Sequence, residues 1–193
     1  MDSSSCVKVA VRIRPLSEAE VNLCEEECIV SNPIASQICA GTQVGNESPS
    51  LFTFDHTFAS SCTQESIYNE CVRDLVSAAF EGFNATILAY GQTGSGKTWT
   101  MGSSSDLDME EEKVGIIPRV IRNLFIMVGE REDENPNIHY KMHVQFLEIY
   151  GEDIKDLLDA TKTSKVIIRE TSNGEVSNTR ERPLQLSHLD QIL

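Results

Sequence analysis

The residues whose types and spacing most directly imply chemistry are Gly91-Gln92-Thr93-Gly94-Ser95-Gly96-Lys97-Thr98. They satisfy G-x-x-x-x-G-K-[ST], in which glycines let the backbone curl so that successive N–H groups face phosphate oxygens. A helix starting there adds the positive end of its dipole. Lys97 would reach the β- and γ-phosphates of a nucleotide, and the Thr98 hydroxyl would ligate Mg2+. A chance match in a chain of this length is on the order of 1%. A glycine-rich turn with a surface lysine is therefore the poorer explanation.

A nucleotide site also needs a pocket for the base. Arg14 and Pro15, at the end of the first strand, are candidates for sandwiching a purine together with Tyr68 or Trp99 through stacking and cation–π contacts. Each also has a plain structural reading: Pro15 ends a strand, and Tyr68 packs under a sheet. No N-K-x-D guanine-reading pattern occurs, which disfavours GTP. Hydrolysis further requires a second Mg2+-binding acid, a water-orienting group and loops that sense the γ-phosphate. None is identifiable. Val144 to Asp153 is the one apolar run ending in acid, and its Tyr150-Gly151-Glu152-Asp153 end is a poor Walker-B segment. Glu148 inside it reads as a partnered or edge-facing strand carboxylate before it reads as a metal ligand.

The elements that must position these groups follow from periodicity. Val7, Val9, Val11 and Ile13 alternate with Lys8, Ala10 and Arg12, which predicts a strand over Cys6 to Ile13 that stops at Pro15. Ser17 to Ser50 reads as an elaborated loop region with at most short strands, and Leu51 to Phe58 as a second strand. Ser61-Cys-Thr-Gln64 fits a capping box opening a helix that runs to Gly82. Its apolar stripe is Ile67, Cys71, Leu75 and Ala79, flanked by Tyr68, Val72 and Val76. Ala85 to Tyr90 is a short continuous apolar run, the pattern of a strand buried on both faces, and it leads directly into the glycine loop. Gly102 to Lys113 interrupts the following helical path with an exposed insertion. A second helix resumes through Val120, Ile121, Leu124, Phe125 and Val128, with Pro118 in its first turn. Ile138 to Ile149 predicts a central strand, Glu152 to Asp159 one or two helical turns, Val166 to Ile168 a strand, and Asn173-Gly174 a hairpin turn. Ser187 to Asp190 resembles a helix cap, but the sequence stops before a useful helical face is complete, so it looks cut rather than finished.

Composition bounds the function. The chain has 193 residues, 40% of them hydrophobic and 24% charged, enough for one domain with its own core. A formal charge of −14 makes nucleic acid a poor partner. The acidity lies in three runs, Glu18 to Glu27, Asp106 to Glu112 and Glu130 to Glu134, which read as solvated loops. The six cysteines contain no C-x-x-C pair, so zinc is disfavoured and they read mostly as small buried apolar residues. With no signal-peptide pattern and no apolar run near ~18 residues, the reading is a soluble, reduced, intracellular protein without membrane contact.

Several separated stretches together resemble the kinesin motor domain. They are Val9-Ala-Val-Arg-Ile-Arg-Pro15, Phe52-Thr-Phe-Asp-His-Thr-Phe58, Ala85 to Thr98, Gly115-Ile-Ile-Pro-Arg119 and Phe146-Leu-Glu-Ile-Tyr150 followed by Asp156-Leu-Leu-Asp159. Within the family the chain is most similar to the chromokinesin-like branch with an N-terminal motor. The resemblance implies an α/β P-loop NTPase fold with a central, mostly parallel sheet flanked by helices, truncated at its C-terminal side. Residues 1–193 would be the N-terminal half of a motor domain. It implies ATP and Mg2+ as ligands, with Arg14 and Pro15 lining the adenine, Gly91 to Thr98 on the phosphates and Trp99 beside them.

It also implies ATP-driven movement along microtubules, in the cytoplasm and on the cytoskeleton. The family's γ-phosphate-sensing segments, N-x-x-S-S-R-S-H and D-L-A-G-S-E, and its basic microtubule-binding face lie further along than the position of Leu193. None is in this sequence, so no catalytic residue is assigned and these residues alone are not expected to hydrolyse ATP. Glu175 to Leu186 fits the family's strand pattern less well, which marks the last ~20 residues as altered sequence. The alternatives are a non-motor nucleotide-binding or interaction module, and a truncated chain without a stable fold.

Overall fold

The computed structural model describes residues 7–41, 49–102, 110–158, 168–170, 176–178 and 182–183. The chain divides into two compact units, Met1–Phe125 and Ile126–Leu193.

In the first unit the opening strand is shorter than its β-branched run. β1 (Ala10–Arg12) pairs in parallel with β5 (His56–Phe58), in the register Ala10↔His56, Val11↔Thr57, Arg12↔Phe58. Val7 and Val9 lie outside the ladder and are exposed. The second expected strand, Leu51 to Phe58, is two strands. β4 (Ser50–Thr53) joins β2 (Ile29–Asn32) and β3 (Gln37–Ala40) in an antiparallel sheet, ordered β2-β3-β4. The break falls where the Phe54 N–H turns to the Ser36 carbonyl and the Asp55 carboxylate accepts the Val9 N–H at 2.7 Å. Asp55 thereby takes the N–H just before β1 with its side chain, at the point where the two pairings separate. Before β2, the short helix α1 (Glu18–Asn22) is closed by a reciprocal cap, Ser17 accepting from the Glu20 N–H while the Glu20 carboxylate accepts from the Ser17 N–H.

The first long helical pattern forms two helices, α2 (Gln64–Cys71) and α3 (Arg73–Phe80), joined at Val72. Its N-cap is Thr63, whose hydroxyl accepts the Ser66 N–H at 3.1 Å, and not Ser61. Gln64 cannot close a capping box because its carboxamide is engaged elsewhere. The C-terminus ends as expected near Gly82. With Gly82 at φ +92°, its N–H bonds the Ala79 carbonyl and the Phe83 N–H bonds that of Ala78, a Schellman arrangement. The buried stripe is Ile67, Tyr68, Val72 and Val76, whereas Leu75 from the expected stripe is partly exposed. Ile38, Phe58, Val114 and Ile116 complete the buried apolar set. The described cysteines do not join it: Cys24 and Cys28 are exposed, and Cys39, Cys62 and Cys71 are partly exposed.

Ala85 to Tyr90 departs most from expectation. It carries no strand ladder, and Leu88 and Tyr90 are 85% and 96% exposed. Apolar sequence predicts burial only when a partner covers it, and no described strand pairs with this one. The glycine loop then leads into α4 (Lys97–Met101). Gly102 and Gly115 meet backbone to backbone, so the insertion is a closed excursion whose two ends touch; a Cβ on Gly115 would collide with Gly102. Its described acidic end is also less free than a solvated loop. Glu111, in the 3-10 turn Glu111–Lys113, takes Arg119 at 3.0 Å and Arg122 at 2.6 Å.

α5 (Ile116–Glu134) has Pro118 in its first turn as expected. It extends through Glu130 to Glu134, so that acidic run is helical and not a loop. In the second unit, β6 (His143–Val144) pairs with β11 (Arg182–Pro183), and β9 (Ile168–Glu170) with β10 (Val176–Asn178). Ile138 to Ile149 is not one doubly covered central strand. β7 (Leu147–Tyr150) pairs antiparallel with β8 (Asp153–Asp156), and Phe146, Ile149 and Tyr150 are exposed. β8 replaces the helical turns expected after Glu152, because Gly151 at φ +61° closes a two-residue turn that returns the chain along β7. Most of Val166 to Ile168, Asn173-Gly174 and the cap at Ser187 to Asp190 lie outside the described residues.

Candidate functional site

The glycine loop curls as its composition dictates. Gly94 and Gly96 sit at φ +81° and +95°, a region costly for residues bearing a Cβ. A side chain at Gly91 would strike the Ser95 hydroxyl. A turn from the Ser95 N–H to the Gln92 carbonyl, 3.2 Å, closes the loop. The Lys97 ammonium folds across it and donates to the carbonyls of Gly91 at 2.8 Å and Gln92 at 2.9 Å. Thr98, the next residue, is exposed, as are Gln92, Thr93 and Gly94. The cradle of small residues, a cation at its mouth and an exposed hydroxyl fit a phosphate group with its Mg2+.

The first strand brings Arg14 to this loop. A Cβ on Gly96 would lie 3.9 Å from the Arg14 Cβ. The Arg14 guanidinium is held in a two-pronged pair by Glu20, at 2.7 Å and 2.6 Å, and also donates to the Pro15 carbonyl at 3.0 Å. Hydrogen bonds from Arg14, then from Ser17, hold the Glu20 carboxyl far below the usual carboxylate range. Pro15 is exposed beside it. Trp99 lies in α4 with its ring half-exposed. Tyr68 does not share this exposure. It is buried, and its hydroxyl accepts from the Asn123 amide at 2.8 Å, so it packs helices and does not offer a face to a base.

Sequence reading missed the residues that tie these pieces together. Arg12 donates from one nitrogen to the Gln64 carboxamide oxygen at 2.8 Å and to the Thr100 hydroxyl at 2.9 Å. Gln64, 3% exposed, donates in turn to the Trp99 carbonyl at 2.6 Å and the Lys113 carbonyl at 3.3 Å. Burial pushes the Arg12 guanidinium below its ordinary pKa, with Cys62 acting in the opposite sense. The alternation of β1 carried a usable signal, since it sets Arg12 and Arg14 on one side of the strand. For Gln64, nothing local in the sequence distinguishes a buried spoke from a capping residue.

Other candidates carry no chemistry of this kind. Burial pushes the Cys71 thiol up to about 11 and that of Cys62 in the same direction, so both stay neutral at ordinary pH. Glu148 lies on β7 facing Lys155 across the hairpin at 3.5 Å, the partnered strand carboxylate expected of it. Among the described residues no group of three or more His, Cys, Asp or Glu is placed to hold a metal, and no helix is long and apolar enough to cross a membrane.

A phosphate-cradling loop between an apolar segment and a helix, with a basic strand end beside it, defines a P-loop nucleotide-binding domain of the α/β class. The family model of the kinesin motor domain matches residues 12–192, and the chain belongs to that family. Among curated relatives it is 41% identical over 177 residues to Kinesin-related protein 8 of Dictyostelium discoideum, covering 91% of this chain and 9% of that protein. It is 42% identical over 187 residues to Kinesin-like protein KIF21B of Homo sapiens, covering 90% and 11%. It is 38% identical over 188 residues to Kinesin-like protein KIF27 of Mus musculus, covering 97% and 13%. A solved structure described as that of a fast kinesin superposes with a TM-score of 0.81 at 28% identity, covering 96% of this chain and 50% of that one. The fold is therefore that of a kinesin P-loop NTPase, and the chain spans about a tenth of these curated relatives' length. The family match continues to residue 192, through Glu175 to Leu186.

Proposed function

We propose that residues 1–193 form the N-terminal, ATP-binding half of a kinesin motor domain. The observation that carries this reading is the Lys97 ammonium held on the Gly91 and Gln92 carbonyls, at the mouth of a loop whose glycines leave room for phosphate oxygens. Phosphate oxygens compete for that ammonium through charge-assisted hydrogen bonds, which are stronger than those to neutral carbonyls. Gly91, Gln92, Thr93, Gly94, Ser95, Gly96, Lys97 and Thr98 hold the phosphates, and Arg14 and Pro15 line the adenine. Trp99 lies beside the loop, and the Thr98 hydroxyl serves Mg2+, which offsets phosphate charge when bound.

In the complete domain this half serves ATP-dependent movement on microtubules, in the cytoplasm and at the cytoskeleton. The γ-phosphate-sensing motifs are not among these 193 residues, so ATP turnover and its coupling to microtubules are assigned to the complete domain. Microtubule-stimulated hydrolysis by the 193 residues alone would refute that assignment.

Calorimetric titration with Mg-ATP tests the site. Weak binding is expected, with Mg-GTP weaker still. Lys97→Ala should reduce Mg-ATP affinity on the order of 100-fold by removing a charge-assisted contact, without shifting the melting temperature. Unchanged binding by this variant would overturn the loop assignment.

A further inference from the structure

Gln64 stands where four segments meet. Its carboxamide oxygen accepts from Arg12 of β1, and its nitrogen donates to the Trp99 carbonyl in α4 and to the Lys113 carbonyl at the far end of the insertion. Arg12 makes a second link to α4 through the Thr100 hydroxyl. These contacts join residues 35 to 88 positions apart. The described partners of Arg12 are neutral, so its half-buried charge is satisfied by geometry and not by a counter-ion. Gln64 uses three of its four hydrogen-bonding sites, and each bond fixes a different segment. A buried carboxamide held this way tolerates little displacement, because moving any one segment leaves a buried polar group unpaired.

The placement of Arg14 makes this arrangement more than a structural clip. Arg12, the last residue of β1, reaches α4, and Arg14, two residues further along, lies beside Gly96. The strand end that carries the base-lining pair is thereby tied to the helix that carries Lys97 and Thr98.

Resting on the nucleotide reading above, we infer that Arg12 and Gln64 are positioning residues that set the separation between the adenine-binding strand end and the phosphate loop. They touch neither base nor phosphate. Their effect is to let one ligand engage both subsites at once, an advantage that exists only for a ligand long enough to span them.

The test compares Mg-ATP with Mg-tripolyphosphate, which occupies the phosphate loop alone, on the 193-residue chain and on Gln64→Leu. Leucine keeps the volume and removes every link. The expected result is a loss of about tenfold in Mg-ATP affinity, the scale set by unpairing buried polar groups, with tripolyphosphate affinity held within about threefold. An equal fall for both ligands would reduce Gln64 to general support of the loop and overturn the inference, as would no change in either.

Arg12→Lys provides a second variant if Gln64→Leu does not fold. The shorter lysine side chain does not carry its ammonium to the place of the one guanidinium nitrogen that bonds both Gln64 and Thr100, so the same split between ligands is expected, and its absence counts equally against the inference. In the double variant the combined loss should be less than the sum of the separate effects, because the Arg12–Gln64 bond is common to both, while the Arg12–Thr100 bond is lost only with Arg12. If the unsubstituted chain binds neither ligand, the nucleotide reading fails first. Binding by that chain with no split in the variants defeats the positioning role alone.

Discussion

The two units of this chain spend their apolar residues differently. In Met1–Phe125, Ile38, Phe58, Ile67, Tyr68, Val72, Val76, Val114 and Ile116 are buried. Hydrogen bonds donated by Arg12 and Gln64, and one accepted by the Asp55 carboxylate, stitch segments far apart in sequence around them. From Ile126 to Leu158 no residue is fully buried, and beyond the β6–β11 pairing the hydrogen bonds are short-range, such as the β7–β8 hairpin and the Tyr140 N–H on Glu132. Both units have clear apolar periodicity. Periodicity states which face wants cover, whereas long-range polar links show that the cover has been found.

Substitutions should expose this difference, and the largest effect belongs to the first unit. Val114 is fully buried, so Val114→Asp places a carboxylate without a partner in the core and should cost more than about 4 kcal/mol by urea denaturation. A cost below about 1 kcal/mol would show that this core is looser than its burial indicates. Next comes Gly115→Ala, which forces the touching ends of the insertion apart and should cost about 1–3 kcal/mol.

A smaller, pH-dependent effect is expected at Glu20, whose carboxyl titrates below its ordinary value of 4.5 when folded because Arg14 and Ser17 stabilise the charged form. Stability from that pairing is present above the unfolded value and is lost as pH falls through the lower folded one. The advantage of the native chain over Glu20→Gln should therefore shrink between roughly pH 6 and pH 3, and an advantage that grows on acidification would contradict the pairing. Smallest of all, Ile149→Asp should change stability by no more than about 0.5 kcal/mol, since Ile149 is 68% exposed. A loss comparable to that at Val114 would erase the contrast between the units.

The same contrast explains what could be read from sequence. The glycine loop was legible in full because its conformation is set by its own residues: Gly94 and Gly96 need left-handed backbone, and no distant partner is involved. Arg14 was legible for a related reason, lying at a strand end next to Pro15. Most of the failures are questions of partnership. Ala85 to Tyr90 and Ile138 to Ile149 have the composition of covered strands, but composition cannot name the strand or helix that covers them. Asp55 split a continuous alternating run through one side-chain bond to Val9, a contact 46 residues away. Gln64 sits at a helix start, where a local capping role and a long-range spoke look identical. At Glu152 to Asp159 too few residues were present to separate helix from strand, and the left-handed Gly151 decided the matter.

The claim on which the rest depends is that the first unit holds a nucleotide through its glycine loop and adjoining strand end. Hydrogen–deuterium exchange with and without saturating Mg-ATP addresses it directly, because amides drawn into phosphate binding exchange more slowly. Protection is predicted at Gly91 to Gly102 and around Arg12 to Leu16, with peptides covering His143 to Leu157 unchanged. Unaltered exchange across Gly91 to Thr98, or protection confined to the β7–β8 hairpin, would contradict it.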